Sequence, residues 1–139
     1  MNLKLWYIAQ QGSGDHEFLF HLLKQRPNYA NISHTKLPDF EQHCSFVDSL
    51  ANHFYNFWYI VKDDELNRIG TIYITINNEI GLFIEKTYQK QGLGTQILQL
   101  FLQEYKSRPV FANISIKNDI SKKFFSKNGF KLTSETYKL

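Results

Sequence analysis

The sequence predicts an α/β domain built on a mixed, mostly antiparallel sheet of seven strands flanked by four helices, in the order β-α-α-β-β-β-α-β-α-β-β. Three observations carry this expectation. Residues 55–85 fall into extended runs separated by short turns, Asp63-Asp64-Glu65 and Asn77-Asn78, which makes three antiparallel neighbours. Residues 81–116 read strand, helix, strand, and such a unit needs a crossover that leaves its two strands parallel. The chain has 139 residues, 42% of them hydrophobic, which suits a single domain over residues 1–139 with a packed core.

The elements follow in order. Leu3, Leu5, Tyr7 and Ala9 alternate with Lys4, Trp6 and Ile8, the period-two signature of a strand over residues 3–9. Gln10 to Gly14 is a turn, and Asp15 is placed to cap a helix over about residues 16–25 with Phe18, Leu19, Leu22 and Leu23 on one face. Pro27 ends that helix, and a polar loop over residues 27–38 is bounded by Pro27 and Pro38. A second helix over about residues 39–52 puts Phe40, Cys44, Val47 and Leu50 at helical spacing. Phe57 to Val61 reads as a buried strand. In the next strand Ile72, Ile74 and Ile76 alternate with Thr71, Tyr73 and Thr75, and a third strand runs to Glu85. The helix after Gly92 ends near Lys106-Ser107, ahead of Pro109. Residues 110–116 form a further strand, and Asn118 or Asp119 caps a helix that stops at the Asn128-Gly129 pair. Phe130 to Leu132 and Thr136 to Leu139 read as two short final strands.

Charge and composition narrow the function classes. Residues 1–70 carry 6 Lys/Arg and 8 Asp/Glu, a net of −2, whereas residues 71–139 carry 10 and 5, a net of +5, summing to +3. A basic second half suits an anionic ligand there or a solubilising surface. A nucleic-acid partner is not expected, because the excess charge is small and the aromatic residues sit in core-like positions. No run approaches the roughly 18 apolar residues of a membrane span, so no membrane partner is expected. The start Met1 to Trp6 lacks the apolar region of a signal peptide. The lone Cys44 has no partner for an internal disulfide, which suits a reducing compartment and a cytoplasmic protein.

The most informative stretch runs from Ile80 to Thr95: a strand, a short loop holding Gly92 and Gly94, and the start of a helix. Such a junction aims several backbone N–H groups at one spot, where the helix dipole also favours negative charge. Glycine lets the backbone approach an anion closely. Gln89, Lys90, Gln91, Gly92, Leu93, Gly94 and Thr95 are therefore a candidate pyrophosphate cradle. The pattern is not a dinucleotide-binding fingerprint, since Ile97 stands where the third glycine is wanted. It is not a P-loop, since no Gly-Lys-Ser/Thr follows.

Together with a second block, Asn118 to Phe130, this stretch resembles the GNAT (Gcn5-related) N-acetyltransferase superfamily over about residues 55–139. Within it, Asn78-Glu79-Ile80-Gly81-Leu82 and Phe40-Glu41-Gln42-His43 are similar to ribosomal-protein and nucleotide-aminosugar acetyltransferases. The resemblance implies the GNAT fold and acetyl-CoA as donor. It implies that Gln89 to Thr95 holds the pyrophosphate. It also implies that Leu82, Phe83 and Ile84 offer backbone groups to the pantetheine arm, where two central parallel strands splay apart, and that Asn118 contacts the same arm. The implied reaction is direct attack of a primary amine on the thioester. The amine would belong to a small molecule, a nucleotide aminosugar or a protein N-terminus, and the enzyme would be a monomer or homodimer.

That attack needs a neutral amine. An α-amino group titrates near pH ~8, so a modest base suffices. Glu79 is the first candidate, on the strand beside the thioester position and on the opposite face from Ile80, Leu82 and Ile84; it also reads as a surface carboxylate at a turn. His43 and His21 are lesser candidates. The tyrosine that many members of the superfamily use to protonate the departing thiolate is replaced here by Phe125, which cannot donate. A water or Ser121 could act instead, or the thiolate could leave unaided. Phe125 also keeps open a second class of function, a non-catalytic acyl-CoA-binding sensor. Tyr55, Phe57, Trp58 and Tyr59 read as core or as the wall of an acceptor pocket, and Lys122, Lys123 and Lys127 as partners of the adenosine 3′-phosphate or as a solvated helix face. No metal ligands are expected.

Overall fold

The computed structural model describes residues 1–26 and 37–139, with only the backbone of residues 50–53. Four strands form one antiparallel sheet in the order β1 (Lys4–Tyr7), β2 (Tyr55–Lys62), β3 (Arg68–Thr75) and β4 (Ile80–Ile84). Helices α1 (Asp15–Gln25) and α2 (Phe40–His53) cover one face, where Leu19, Leu22, Val47 and Ile60 pack together. Helices α3 (Leu93–Glu104) and α4 (Asp119–Lys127) belong to the other face, where Ile72, Ile74, Ile80, Ile97, Phe101 and Phe125 form the larger core. The side chain of Leu50, expected on the apolar face of α2, and residues 27–36 of the expected loop lie outside the described residues.

Local chemistry explains most boundaries. Asp39 accepts from the Gln42 amide at 2.7 Å while Gln42 Oε1 accepts from the Asp39 amide at 3.0 Å, a reciprocal pair that starts α2. Asn118 Oδ1 accepts from the Ser121 amide at 3.1 Å and starts α4. That helix ends with Gly129 at φ +91° and the Phe130 amide bonded back to Phe125 O at 3.0 Å. Asp15 differs from the expected cap. Gly14 takes the cap position, and Asp15 is buried inside α1, accepting from the Ala9 amide at 2.8 Å and Arg68 Nε at 2.9 Å. Burial pushes the Asp15 carboxyl up, but these two donors outweigh it and leave its pKa below the ordinary value.

The seven-stranded sheet is not formed. Among the described residues the sheet has four strands, and the three expected after Pro109 are absent as strands. Residues 110–114 keep the period-two pattern, with Val110, Ala112 and Ile114 packed on the core and Phe111 and Asn113 exposed, and Ile116 breaks it by being exposed. Among the described residues their only pairing is one parallel bridge, Glu79 to Phe111. Residues 131–139 are exposed along their whole length, Leu132 at 83% and Tyr137 at 87%. Alternation specifies an extended chain, but a strand exists only through its ladder, and among the described residues these segments have no neighbour that completes one.

Candidate active site

The bridge at Glu79 opens a gap. The Ile80 amide donates to Phe111 O at 2.7 Å and the Phe111 amide to Asn78 O at 2.8 Å. Beyond this pair no backbone bond joins β4 to residues 112–116 among the described residues. On the other side of β4, Glu79 O accepts from the Thr75 amide and the Glu85 amide donates to Ile69 O, so the odd-numbered residues bond to β3. By the period of the strand, Leu82 and Ile84 turn their backbone groups toward the gap, and Phe83 does not. Of the three residues expected to offer backbone groups there, two are so oriented. Phe83 instead contributes its ring to the opposite wall.

The loop after β4 is fixed at both ends. Glu85 caps a 3-10 turn over Lys86–Tyr88, accepting from the Thr87 amide at 2.8 Å and from the Thr87 hydroxyl. Gln25 of α1 donates to Glu85 at 2.8 Å and accepts from the Lys86 amide at 3.1 Å, while His21 meets Glu85 at 3.2 Å. The Thr87 hydroxyl, helped by Gln25, the Thr87 amide and His21, holds the Glu85 carboxyl down to about 2. Gln89 Nε2 then donates to Ile84 O at 2.9 Å and closes the loop.

Gly92 precedes α3 with φ +76°, and a Cβ built on it meets nothing within 4 Å, so it would project into open space at the helix end. The first intrahelical bond runs from Gln96 to Gly92 O at 3.4 Å, so the amides of Leu93, Gly94 and Thr95 precede the ladder. Gly94 has a different reason to be glycine. A Cβ there would lie 3.0 Å from Phe124 Cε1, so α4 packs directly across the start of α3. Asn128 Nδ2 reaches Thr95 Oγ1 at 3.4 Å and ties the two helices at this corner. Lys122 turns toward Ile116 O and Asp119, and Lys123 and Lys127 are exposed.

A cavity of about 600 Å³ continues from the gap across the face of β3 and β4 to α1 and α2. Leu82 and Asn118 line it, as do Ser121 and Phe125 of α4, and Glu79 lies in its wall. The polar side of β3 faces this cavity rather than solvent: Thr71 and Thr75 are 3% and 4% exposed. Phe125 is buried against Phe124 and Phe130, with no hydroxyl at that point of the wall.

The expected aromatic set divides in two. A register shift between Tyr55 and Phe57 puts Tyr55 on the same side as Trp58. These two line the cavity, with ring centroids 4.5 Å apart, and Tyr73 joins them at 4.6 Å from Tyr55. Phe57 and Tyr59 face α3 instead, packed on Tyr105 and Phe101. Trp58 Nε1 donates to Thr71 Oγ1 at 2.9 Å, and that hydroxyl donates to Tyr59 O at 2.7 Å, which locks the indole. Burial raises the Tyr55 and Tyr73 phenols above their ordinary value of 10, so both stay protonated.

Tyr73 and Arg26 join the wall without a signal in the linear sequence. Tyr73 lies opposite Gly81 in register, and its ring rests across that glycine: a Cβ on Gly81 would fall 2.1 Å from Tyr73 Cζ. Arg26, at the end of α1, lays its guanidinium over the Phe83 ring, 4.2 Å from the centroid. The sequence does show a glycine inside a strand, and that is a cue for close approach, but not for which ring approaches.

The histidines separate. His43 lines the cavity at 5% exposure, bonds to the His16 backbone and leaves Nε2 without a partner among the described residues. Burial lowers its pKa below the ordinary 6.5. His21 is exposed and engaged with Glu85. His16 is buried and bound to Asp48 at 2.8 Å. Burial raises the Cys44 thiol, which makes it a poor nucleophile. Among the described residues no cluster of His, Cys, Asp and Glu could hold a metal, and no helix is long and apolar enough to cross a membrane.

The acetyltransferase (GNAT) family model matches residues 18–130. No curated protein matches the chain in sequence. Solved structures match in fold. A crystal structure of an acetyltransferase from Thermus thermophilus is 20% identical with a TM-score of 0.75, over 94% of this chain and 88% of that one. Spermidine N-acetyltransferase from Vibrio cholerae in complex with CoA and spermine is 17% identical with a TM-score of 0.75, over 95% and 82%. A dodecameric structure of the latter enzyme is 16% identical with a TM-score of 0.73, over 95% and 81%.

Proposed function

The chain belongs to the acetyltransferase (GNAT) family, and we propose that residues 1–139 act as one domain that transfers an acetyl group from acetyl-CoA to a primary amine. The observation that carries this is the gap between β4 and residues 112–116, where Leu82, Ala112 and Ile114 line the cavity that continues to α1 and α2. The residues present fit coenzyme A. A left-handed Gly92 with open space at its Cβ position, followed by helix-start amides, forms a cradle for a diphosphate. When bound, acetyl-CoA supplies an acetyl group activated as a thioester.

The chain's own residues divide the remaining work. Gln89, Lys90, Gln91, Gly92, Leu93, Gly94 and Thr95 hold the pyrophosphate through backbone amides and the dipole of α3. Leu82 and Ile84 present backbone groups to the pantetheine arm, and their N–H groups meet the negative charge that develops on the acyl oxygen. Asn118 flanks the same arm. Glu79, at the mouth of the gap, takes the proton from the incoming amine, directly or through water. Phe125 closes the α4 side as an apolar wall, so Ser121 or water meets the departing thiolate.

Two assays on the whole chain test this. Coenzyme A at about 100 times its Kd adds about 2.7 kcal/mol of stability, a rise of several degrees in melting temperature. Acetyl-CoA with a panel of primary amines then releases free thiol. A thermal shift without thiol release across the panel would replace the enzyme by an acyl-CoA sensor, a reading that the absence of a hydroxyl at Phe125 supports. No thermal shift would remove the cofactor itself.

A further inference from the structure

Charge is sparse on the cavity wall. Among the described lining residues Arg26 is the one lysine or arginine, and Glu79 the one aspartate or glutamate. Glu79, Gly81 and Phe83 fall on one face of the extended chain, with the Tyr73 ring across Gly81 and the Arg26 guanidinium over Phe83, so the wall runs Glu79, Tyr73, Arg26. The face of Phe83 already carries the Arg26 guanidinium. Arg26 is itself partly buried, and a guanidinium stays charged in such a place. Position is also secured: the preceding residue, Gln25, bridges Glu85 and the Lys86 amide, which anchors this end of α1 to the loop before the cradle.

From this geometry we infer that the acceptor is a small primary amine that also carries an oxyanion, a carboxylate or phosphate, which docks on Arg26 while its nitrogen lies at Glu79. The inference rests on the acetyl-transfer reading and adds the substrate class to it. A guanidinium has five donors in a planar fork, so it can take an oxyanion alongside its contacts within the protein. A polyamine fits this wall poorly. After one nitrogen meets Glu79, the next ammonium faces Arg26, with no second carboxylate among the described lining residues. The aromatic rings of Tyr55, Trp58 and Tyr73 then contact the carbon skeleton between the two charged ends.

The test uses matched pairs in the thiol-release assay: an α-amino acid against its decarboxylated amine, an aminoalkyl phosphate against its amino alcohol, and spermidine alone. A charge-assisted hydrogen bond is worth about 1.5–3 kcal/mol, or roughly 10- to 150-fold. In at least one pair the anionic member should therefore exceed its partner in kcat/KM by at least about 10-fold. Which pair shows it separates carboxylate from phosphate. Arg26→Gln should bring that ratio to near parity through KM, with the coenzyme A thermal shift intact, and Arg26→Lys should fall between. If Arg26→Gln does not fold, the wild-type ratio and Arg26→Lys decide. Turnover of spermidine or of the anion-free members as fast as the anionic ones overturns the inference, as does an unchanged ratio in Arg26→Gln. Those results leave acetyl transfer standing. Absence of coenzyme A binding, or of thiol release from every amine, overturns acetyl transfer and this inference with it.

Discussion

Gly81→Ala tests the packing that shapes the cavity floor. A Cβ built at Gly81 lies 2.1 Å from Tyr73 Cζ, 2.4 Å from Cε2 and 2.4 Å from the phenol oxygen. Carbon atoms rest at about 3.5–4.0 Å, so the ring must move by well over 1 Å. The backbones cannot separate to relieve this, because Tyr73 and Gly81 are paired in the centre of the β3–β4 ladder. The ring must swing off Gly81, toward Tyr55 and Trp58, whose centroids are already 4.6 Å and 5.9 Å away, or into the cavity that it lines. Overpacking of this kind costs about 1–3 kcal/mol, or roughly 3–10 °C in melting temperature for a chain of this size. The clash falls on the far end of the ring, so Tyr73→Leu removes the offending atoms. Urea unfolding of the two single variants and the double variant should show the Gly81→Ala penalty shrinking by at least about 1 kcal/mol in the Tyr73→Leu background. Penalties that add to within about 0.5 kcal/mol would show that the ring does not lie across Gly81. In activity assays the same substitution should raise the acceptor KM and leave the coenzyme A thermal shift in place.

Three further outcomes follow from the site. Glu79→Gln should lower kcat more at low pH than at high pH, because the neutral amine is then the scarce species; an equal loss at all pH values, read from a kcat profile, would remove Glu79 as the base. His43 is held neutral by burial, so its folded pKa lies below the ordinary 6.5; stability is complete above about pH 6.5 and falls as the pH drops through that value toward the folded pKa. His43→Gln should flatten that part of the urea stability profile, and an unchanged slope would show that His43 titrates normally. Glu85 is depressed from 4.5 to about 2, so its contribution is present above pH 4.5 and lost as the pH falls toward 2. Thr87→Val, which removes the largest cause of that depression, should shift the Glu85 titration seen by NMR upward.

The elements were legible where local chemistry decides them. Asn118 and the Asn128-Gly129 pair mark both ends of α4, and the Ile72/Ile74 alternation marks the buried face of β3. The last three strands were not legible, because alternation in residues 110–116 and 130–139 describes an extended chain but says nothing about its neighbours. The loop from Gln89 to Thr95 was readable from two glycines and their place before a helix. The rest of the cavity was not. Thr71, Tyr73 and Thr75 look like a solvent face until α1 and α2 cover them. Tyr55 sits in period with Phe57, and only the irregularity between them sends it to the other side. Arg26 carries no signal of a site, since nothing in the sequence brings it to Phe83, which lies on another element.

The most direct measurement is calorimetric titration of coenzyme A into the wild-type chain and Gly92→Val. A valine at φ +76° carries backbone strain of about 1–2 kcal/mol and projects its side chain into the open space before α3. Saturable binding by the wild type, and none by a Gly92→Val chain that keeps the wild-type circular dichroism, is the expected result. Equal affinity in the two chains would mean that the diphosphate is held somewhere else.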